Sequence, residues 1–365
     1  MVGKNISAVV VIAAAAVVGC VSTAGAFEDK TAELAAMARQ KRATDPLTLT
    51  NGTGDGRLTV KVDGYGSFGS TTPAGDVSYD PVGAIGPAGA VWESAVMFSP
   101  TKQFLATGSM HVGQGLPPVE ITRSGNRIAT SSFSVGGFDF TLRQEVLPPA
   151  PNGSTLVQTY KITNRTGRSQ TIALSRYVEG DLYFVGSFGN DFGGVSGDGR
   201  TVYQFDTGDD PSAPTTFVGI NATGGTAAGY SIQPYRFTDA VVAAGRVPTE
   251  IRNKIHDDAN ADRITDHGFD AGIIQQNNMT IRAGATATYV TRTRFGSGSI
   301  VGQISKVAGC ITMNGNPVVG RTVEARQTGL TTQTTTTDAT GCYEFDKLTV
   351  GKPADIVVKL PTVTQ

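Results

Sequence analysis

The sequence predicts an all-β protein, in which a large antiparallel β-sandwich is followed by a small second β-sandwich. Apolar and polar residues alternate through most of the chain, as in strands that bury one face. The 365 residues include 46 Gly and 17 Pro, and this frequency of turn-forming residues keeps the predicted strands short. Hydrophobic residues make up 39% of the chain, which is enough to build a core and excludes a disordered protein.

The alternation defines successive strands of the large domain. It is clearest in residues 58–62 and 138–142, where every second side chain is aliphatic or aromatic. Residues 157–162 and 172–174 repeat the pattern on either side of the turn sequence at 164–167, which predicts strand, turn and strand. Residues 186–199 are rich in glycine, and we expect a long loop there, where binding residues are often found.

The first residues indicate export. Residues 8–18 are apolar but too few to span a bilayer as a helix. Ala24, Gly25 and Ala26 suit cleavage of a signal peptide at residues 1–26, whereas the segment ending in Cys20 suits a lipoprotein signal at 1–19, with Cys20 lipidated. Both alternatives predict a secreted or cell-envelope protein, and no later apolar run is long enough for a transmembrane helix in the mature chain.

The predicted domains follow from changes in pattern along the chain. Residues 27–46 form a helical leader, and the large sandwich occupies 47–296, with a helical and acidic insertion at 237–270. Within that insertion, 239–244 and 248–255 are helix candidates. Residues 297–302 form a Gly- and Ser-rich hinge before a C-terminal β domain at 303–365.

Two cysteines remain once the leader is removed, Cys310 and Cys342. In an exported chain an even pair predicts a disulfide. The alternatives are two free thiols or a metal pair, and no histidine lies in the C-terminal domain to complete a zinc site. A domain of about 60 residues has a small core, so a bond between these cysteines would stabilise it by roughly 3 to 4 kcal/mol.

The C-terminal domain carries an ordered set of motifs. Gly315-Asn316-Pro317-Val318-Val319-Gly320 is followed by Thr337-Asp338-Ala339-Thr340-Gly341-Cys342-Tyr343-Glu344-Phe345 and then by Leu348. These residues resemble the carboxypeptidase-regulatory-like, prealbumin-like β-sandwich family over about 303–362. The resemblance implies an extracellular spacer or binding accessory without catalytic residues. The large domain resembles bacterial extracellular β-sandwiches, including mutarotase-type supersandwiches, by fold-level analogy alone.

The charge balance argues against nucleic acid as a partner. The chain has 30 Lys and Arg against 31 Asp and Glu, a net charge of −1, which is not the basic footprint that nucleic acids require. An extracellular polysaccharide or a surface protein is the expected partner. Trp92 and Tyr183 are the aromatic candidates for ligand binding, with core packing as the alternative for both.

An acidic segment predicts a Ca²⁺ site. The candidate ligands alternate as in an EF-hand-like loop, and they are Asp258, Asn260, Asp262, Asp266 and Asp270. Oxygen ligands at this spacing let a short loop wrap Ca²⁺. Arg263 stands where such loops have Gly, and Phe269 where they have a closing acid. A solvated acidic loop without an ion is the alternative.

Two functions fit these features. The first is a non-catalytic exported protein for adhesion or for binding a ligand such as a carbohydrate. The second is a carbohydrate-active enzyme on a supersandwich that uses Glu93, Glu179 or Asp181 as paired carboxylates. Glu179 and Asp181 lie two apart on one predicted strand and therefore share a face, although an ion pair with Arg176 or plain solvation is the simpler explanation. A purely structural envelope protein is a third possibility.

Overall fold

The computed structural model describes residues 47–62, 77–81, 87–99, 103–105, 119–149, 153–182, 188–197, 199–206, 216–235, 253–298, 307–313, 315–326, 332–345 and 354–359. Every element whose bounds it gives is a β-strand, apart from one 3-10 turn at Phe188–Asn190. The prediction of an all-β, antiparallel protein is confirmed. In this part of the chain no helix combines the length and apolar character needed to cross a bilayer.

The strands are, in chain order, β1 Leu47–Thr50, β2 Leu58–Val62, β3 Val77–Tyr79, β4 Ala88–Gly89, β5 Glu93–Ser99, β6 Gln103–Leu105, β7 Ile121–Ser124, β8 Ile128–Val135, β9 Phe138–Val146, β10 Gly153–Asn164, β11 Gln170–Glu179, β12 Phe192–Val195, β13 Thr201–Asp206, β14 Thr216–Thr223, β15 Thr226–Pro234, β16 Lys254–Ile255, β17 Ala271–Ile281, β18 Thr286–Ser297, β19 Val307–Cys310, β20 Thr312–Met313, β21 Asn316–Pro317, β22 Thr322–Arg326, β23 Gln333–Thr336, β24 Cys342–Phe345 and β25 Asp355–Val358.

Two large sheets form the body of the protein. The eight-stranded sheet has the order β12-β13-β14-β18-β10-β9-β8-β7, and the six-stranded sheet has the order β16-β15-β17-β11-β5-β6. Their neighbouring strands are antiparallel except for β15 and β16, which are parallel. The predicted period-two stripes face inward, since Leu58, Val60 and Val62 on β2 are fully buried while their neighbours are partly exposed.

The two large sheets pack face to face as a sandwich. Phe98 on β5 of the six-stranded sheet meets Phe138 and Phe140 on β9 of the eight-stranded sheet, edge to face, with ring centroids 5.3 and 5.2 Å apart. Such aromatic pairs are stabilising beyond the area that they bury. These rings belong to an apolar cluster to which both sheets contribute side chains.

A buried arginine crosses this core. Arg176 on β11 is 1% exposed, and its Nη1 donates hydrogen bonds to the carbonyl oxygens of Ala95, at 3.0 Å, and Tyr177, at 2.8 Å. Its Nη2 donates to Thr293 Oγ1 on the opposite sheet at 3.1 Å. Burial lowers the pKa of Arg176 to about 10. These contacts tie the Arg176 guanidinium to both sheets of the sandwich.

A four-stranded sheet, in the order β1-β2-β3-β4, covers one part of the sandwich. Asn51, just after β1, donates from Nδ2 to Leu147 O at 3.0 Å and to Ser154 Oγ at 2.8 Å. Tyr79 on β3 packs its ring on Phe295 of β18, with centroids 6.4 Å apart. This small sheet shares the apolar core of the large domain rather than forming a separate one.

The C-terminal module, residues 307–359, consists of short sheets β19-β24, β20-β21 and β23-β22-β25. The predicted disulfide is confirmed: Cys310 and Cys342 are bonded and are also register partners of β19 and β24. Strands β20 and β21 pair antiparallel, with Met313 opposite Asn316. Phe345 is buried and the half-buried Tyr343 packs against the same small core.

The module meets the large domain through charges. Burial lowers the pKa of Arg292 on β18, while the carboxylates of Glu344 and Asp338 oppose that shift. Arg294, two residues further along β18, is likewise close enough to Glu344 for its pKa to respond. Acidic groups of the module therefore lie near the basic side chains of β18.

Several local expectations differ from the structure. Residues 192–195, within the predicted glycine-rich loop, form β12 at the edge of the eight-stranded sheet. Lys254 and Ile255, the end of a helix candidate, form β16 instead, because they extend the six-stranded sheet beside β15. Residues 248–252 of that candidate lie outside the described residues. The same is true of the other candidate at 239–244, the signal and leader at 1–46, and most of the hinge.

Candidate functional site

Buried carboxylates gather at one end of the sandwich. Ligand oxygens of Glu179, Asp181 and Asp270 all lie within 4.8 Å of one another, and these three residues, here called the carboxylate cluster, are 0 to 8% exposed. Two further acids, Asp191 and Asp206, are fully buried nearby and are called the flanking aspartates. Ionised carboxylates are costly to bury, so such a group requires a compensating interaction.

Strand register in the six-stranded sheet places the carboxylate cluster. Glu179 ends β11 and pairs with Gly272 of β17, two residues after Asp270. Asp181 follows Glu179 at the spacing that keeps two side chains on one face. On the other side of β11, Glu179 is the register partner of Glu93 at the start of β5. Two acids directly opposite each other destabilise a sheet unless their charge is neutralised.

The eight-stranded sheet contributes the flanking aspartates. Asp191 immediately precedes β12, and Asp206 ends β13. Gln204 on β13 joins the two sheets: its Nε2 donates to the carbonyl of Gly180 and, at 2.6 Å, to Asp191 Oδ2. Its Oε1 accepts the backbone N–H of Gly180 at 3.2 Å. This amide fixes the segment between Glu179 and Asp181 against β13.

Glycine at position 180 lets the two sheets approach closely at this junction. A Cβ added there would lie 2.7 Å from Val218 Cγ1 and 2.9 Å from Gln204 Oε1. Both distances are shorter than real Cβ contacts. The close approach of two sheets at Gly180 is thus what brings the flanking aspartates to the carboxylate cluster.

The charge state of Asp191 reflects this crowding. Burial raises the pKa of Asp191 well above its ordinary range, and the negative charges of Asp206 and Asp181 add to the rise. Hydrogen bonds from Gln204 and from the Leu182 backbone N–H, at 3.4 Å, oppose it. Asp191 Oδ1 has no hydrogen-bond partner among the described residues. The site therefore favours a proton or a cation at this position.

The acidic loop that the sequence analysis selected lies outside the cluster. Its side chains hold the loop's own backbone, since Asp266 Oδ2 accepts Ala259 N–H at 2.8 Å and Asn260 Oδ1 accepts Asp262 N–H at 2.9 Å. Arg263 adopts a left-handed φ of 73°. The bend for which EF-hand loops use Gly is therefore present despite the arginine.

The five predicted calcium ligands are divided between two places. Asp270 joins the carboxylate cluster, whereas Asp258, Asp262 and Asp266 belong to no group of three metal-ligating acids, histidines or cysteines within the described residues. The backbone links the two places, because Phe269 N–H donates to Asp191 O at 2.9 Å. Calcium binding by the loop remains a prediction.

The aromatic candidates have different positions. Trp92 is 3% exposed, and its backbone N–H donates to Glu179 O at 2.9 Å. The Trp92 side chain is thus part of the protein interior, and its backbone lies beside the cluster. Tyr183 and the lipidation candidate Cys20 lie outside the described residues.

Sequence reasoning missed the flanking aspartates. Asp206 ends the apolar strand 201–206. Asp191 directly precedes a strand in which two glycines interrupt the alternation of side chains. Acids at the ends of buried strands are the signal that could have identified them, because strand ends of two packed sheets can converge. Their proximity to Asp181 depends on which sheets pack together, which the local sequence does not specify.

The fold and the site define an antiparallel β-sandwich protein with acids buried at one end. No family model matches the chain, and no curated protein matches it. Its fold is similar to solved structures of a protein from Synechocystis sp. PCC 6803 (8% identity, 70% of this chain and 97% of that one, TM-score 0.34) and of a galactose mutarotase related enzyme from Lactobacillus acidophilus (8%, 69% and 97%, 0.34). A galactose mutarotase-like protein from Lactobacillus casei is also similar (10%, 68% and 99%, 0.34). Similarity at this level does not transfer an activity.

Proposed function

We propose that this chain is an exported, non-catalytic protein of the cell envelope whose large sandwich binds a carbohydrate ligand. The observation that carries the proposal is a groove of about 380 Å³ at the opposite end of β11 from the carboxylate cluster. Its polar lining consists of Thr171, Thr226, Asn278, Thr280 and Thr288. A volume of this size is within the range of ligand sites.

The groove has the chemistry for binding without turnover. Hydroxyl and amide groups can donate and accept hydrogen bonds with sugar hydroxyls. Among its described lining residues there is no titratable side chain, so the groove lacks the acid and base that glycoside hydrolysis requires. These lining threonines and Asn278 are exposed, on neighbouring strands of both sheets. The disulfide is compatible with export.

A carbohydrate-active enzyme is the second candidate, because Glu179 and Asp181 have oxygens within 4.8 Å. Retaining glycosidases hold their two carboxyl groups about 5 Å apart. Glu93, Glu179 and Asp181 are, however, at most 1% exposed. A glycosidic bond must contact both groups directly, and burial of this extent opposes that role.

The test is a polysaccharide panel with the mature protein, scored for both retention and release of reducing ends. We expect binding without release, and we expect Thr280→Val with Asn278→Ala to weaken it at least tenfold. Thr163→Val is the matched control: Thr280 pairs with Thr171 at 2.9 Å between hydroxyls, and Thr163 pairs in the same way with Thr286 at 2.8 Å outside the groove.

Other outcomes would contradict the proposal. Reducing ends that disappear in Glu179→Gln would establish the enzyme. If the protein neither binds nor hydrolyses any polysaccharide, the third possibility, a structural envelope protein, is favoured.

A further inference from the structure

The spacing of the carboxylate cluster matches the coordination sphere of one hard cation. Ca²⁺ binds oxygens at about 2.3 to 2.6 Å, so two ligands of the same ion are at most about 5 Å apart. The oxygens of Glu179, Asp181 and Asp270 satisfy that limit, being within 4.8 Å of one another. No backbone movement is needed for all three to bind a single ion.

Asp191 provides an independent observation. Its side chain is fully buried, and its Oδ1 lacks a hydrogen-bond partner among the described residues. Its other oxygen, Oδ2, accepts the backbone N–H of Leu182, the residue after Asp181, at 3.4 Å. A fully buried carboxylate oxygen without a donor is costly, and a cation held nearby by the carboxylate cluster would offset that cost.

We propose that Glu179, Asp181 and Asp270 bind one Ca²⁺ at this end of the sandwich, beside the buried carboxylate of Asp191. The ligand type favours hard cations over zinc or copper, which prefer nitrogen and sulfur. Mg²⁺ usually keeps several waters and is seldom held by an all-protein cage, whereas Ca²⁺ accepts six to eight protein oxygens. Ligands that are 0 to 8% exposed leave little room for bound water.

This site differs from the loop at 258–266 and from the carbohydrate groove. In the loop, Asn260, Asp262 and Asp266 already accept the loop's own amides. The groove lies at the other end of β11, which has ten residues. Calcium at the cluster would therefore stabilise the junction of the two sheets, independently of the ligand groove.

Binding is tested on chelator-treated mature protein with CaCl₂ by calorimetry, and with Tb³⁺ by luminescence. Trp92 is the sole tryptophan, and its backbone contacts Glu179, so it is placed to sensitise Tb³⁺ in the cluster. We expect one site, with a dissociation constant of about 10⁻³ M or tighter, as in extracellular modules. Excess Ca²⁺ should displace Tb³⁺, and Mg²⁺ at the same concentration should not.

Variants locate the ion. Asp181→Asn and Asp270→Asn should each weaken Ca²⁺ binding at least tenfold, whereas Asp262→Asn, the loop control, should change it less than twofold. In chelator the two cluster variants should melt at or above the wild-type temperature, because each removes a crowded charge. Added Ca²⁺ should raise the melting temperature of wild type and Asp262→Asn only.

Three results would overturn the assignment. The first is an absence of calcium heat and terbium emission with the wild-type protein. The second is loss of binding in Asp262→Asn with retention in both cluster variants, which would return the ion to the loop. The third is an equal fall in melting temperature for both cluster variants with and without Ca²⁺, which would make these acids purely structural. The polysaccharide panel is repeated in chelator. Polysaccharide binding should persist there, because the groove lies away from the proposed Ca²⁺ site, so the two proposals can fail separately.

Discussion

Removing the Cys310–Cys342 bond is expected to unfold the C-terminal module while the large sandwich stays folded. The bond closes a loop with a sequence separation of 32 residues. The chain-entropy relation for a loop of that length gives about 3.7 kcal/mol at 25 °C. The fully apolar core that remains is small, with Val323, Ala325 and Phe345 as its buried members.

The loss is large relative to the stability of such a small unit. For a domain of about 60 residues, 1 kcal/mol corresponds to roughly 4 to 8 °C. We therefore expect the module's melting temperature to fall by about 15 °C or more in a Cys310→Ser, Cys342→Ser double variant. The double variant avoids leaving one reactive thiol.

Calorimetry combined with tryptophan fluorescence measures this effect domain by domain. Trp92 is the sole tryptophan and lies in the large domain, so its fluorescence reports only the sandwich. The Trp92 transition should be unchanged, and the second calorimetric transition should move down. Two results would refute the reasoning. One is a fall in the module's melting temperature of less than about 4 °C, which corresponds to less than about 1 kcal/mol. The other is a fall in the melting temperature reported by Trp92.

Three other perturbations test the packing. Gly180→Ala should destabilise the sandwich by about 1 to 3 kcal/mol through overpacking, and Gly197→Ala, where nothing lies within 4 Å of the added Cβ, should cost much less in urea unfolding. Arg176→Ala should lose about 3 kcal/mol or more, since it leaves a cavity and unsatisfied carbonyls; the exposed Arg168→Ala should change stability by about 0.5 kcal/mol at most. Burial raises the pKa of Tyr203 to about 12, so above pH 10 the unfolded chain loses this proton first, and stability should fall as pH rises. In Tyr203→Phe the free energy of unfolding should fall less steeply above pH 10. If burial is the cause, the tyrosinate absorbance that the substitution removes should appear in the wild-type protein only as it unfolds.

The strands could be predicted because a period of two is a local property of the chain. β12 escaped prediction because Gly193 and Gly194 have no side chains to alternate. The structure explains both glycines, since a Cβ at Gly193 would lie 2.5 Å from Ile232 of the opposite sheet and a Cβ at Gly194 2.5 Å from Tyr203 of the adjacent strand. Those contacts depend on strand pairing and sheet packing, so no local pattern reveals them.

The acidic site was predicted only in part for the same reason. Glu179 and Asp181 could be paired from their spacing along one strand. Asp270 follows the acidic loop in sequence and was grouped with it, but the register of β17 on β11 places it beside Glu179. The flanking aspartates require knowledge of how two sheets pack, and Tyr183 and Cys20 stay predictions.

The connection from β17 to β18 has a consequence for how the chain assembles. These consecutive strands enter different sheets, β17 between β15 and β11, and β18 between β14 and β10. Until residues 271–297 are available, both sheets are split in two, with open edges on β10, β11, β14 and β15 that could pair with other chains. Contacts of such long range form slowly. Fragments truncated before residue 271 should aggregate rather than fold, and a newly made chain needs protection until its last sandwich strands emerge.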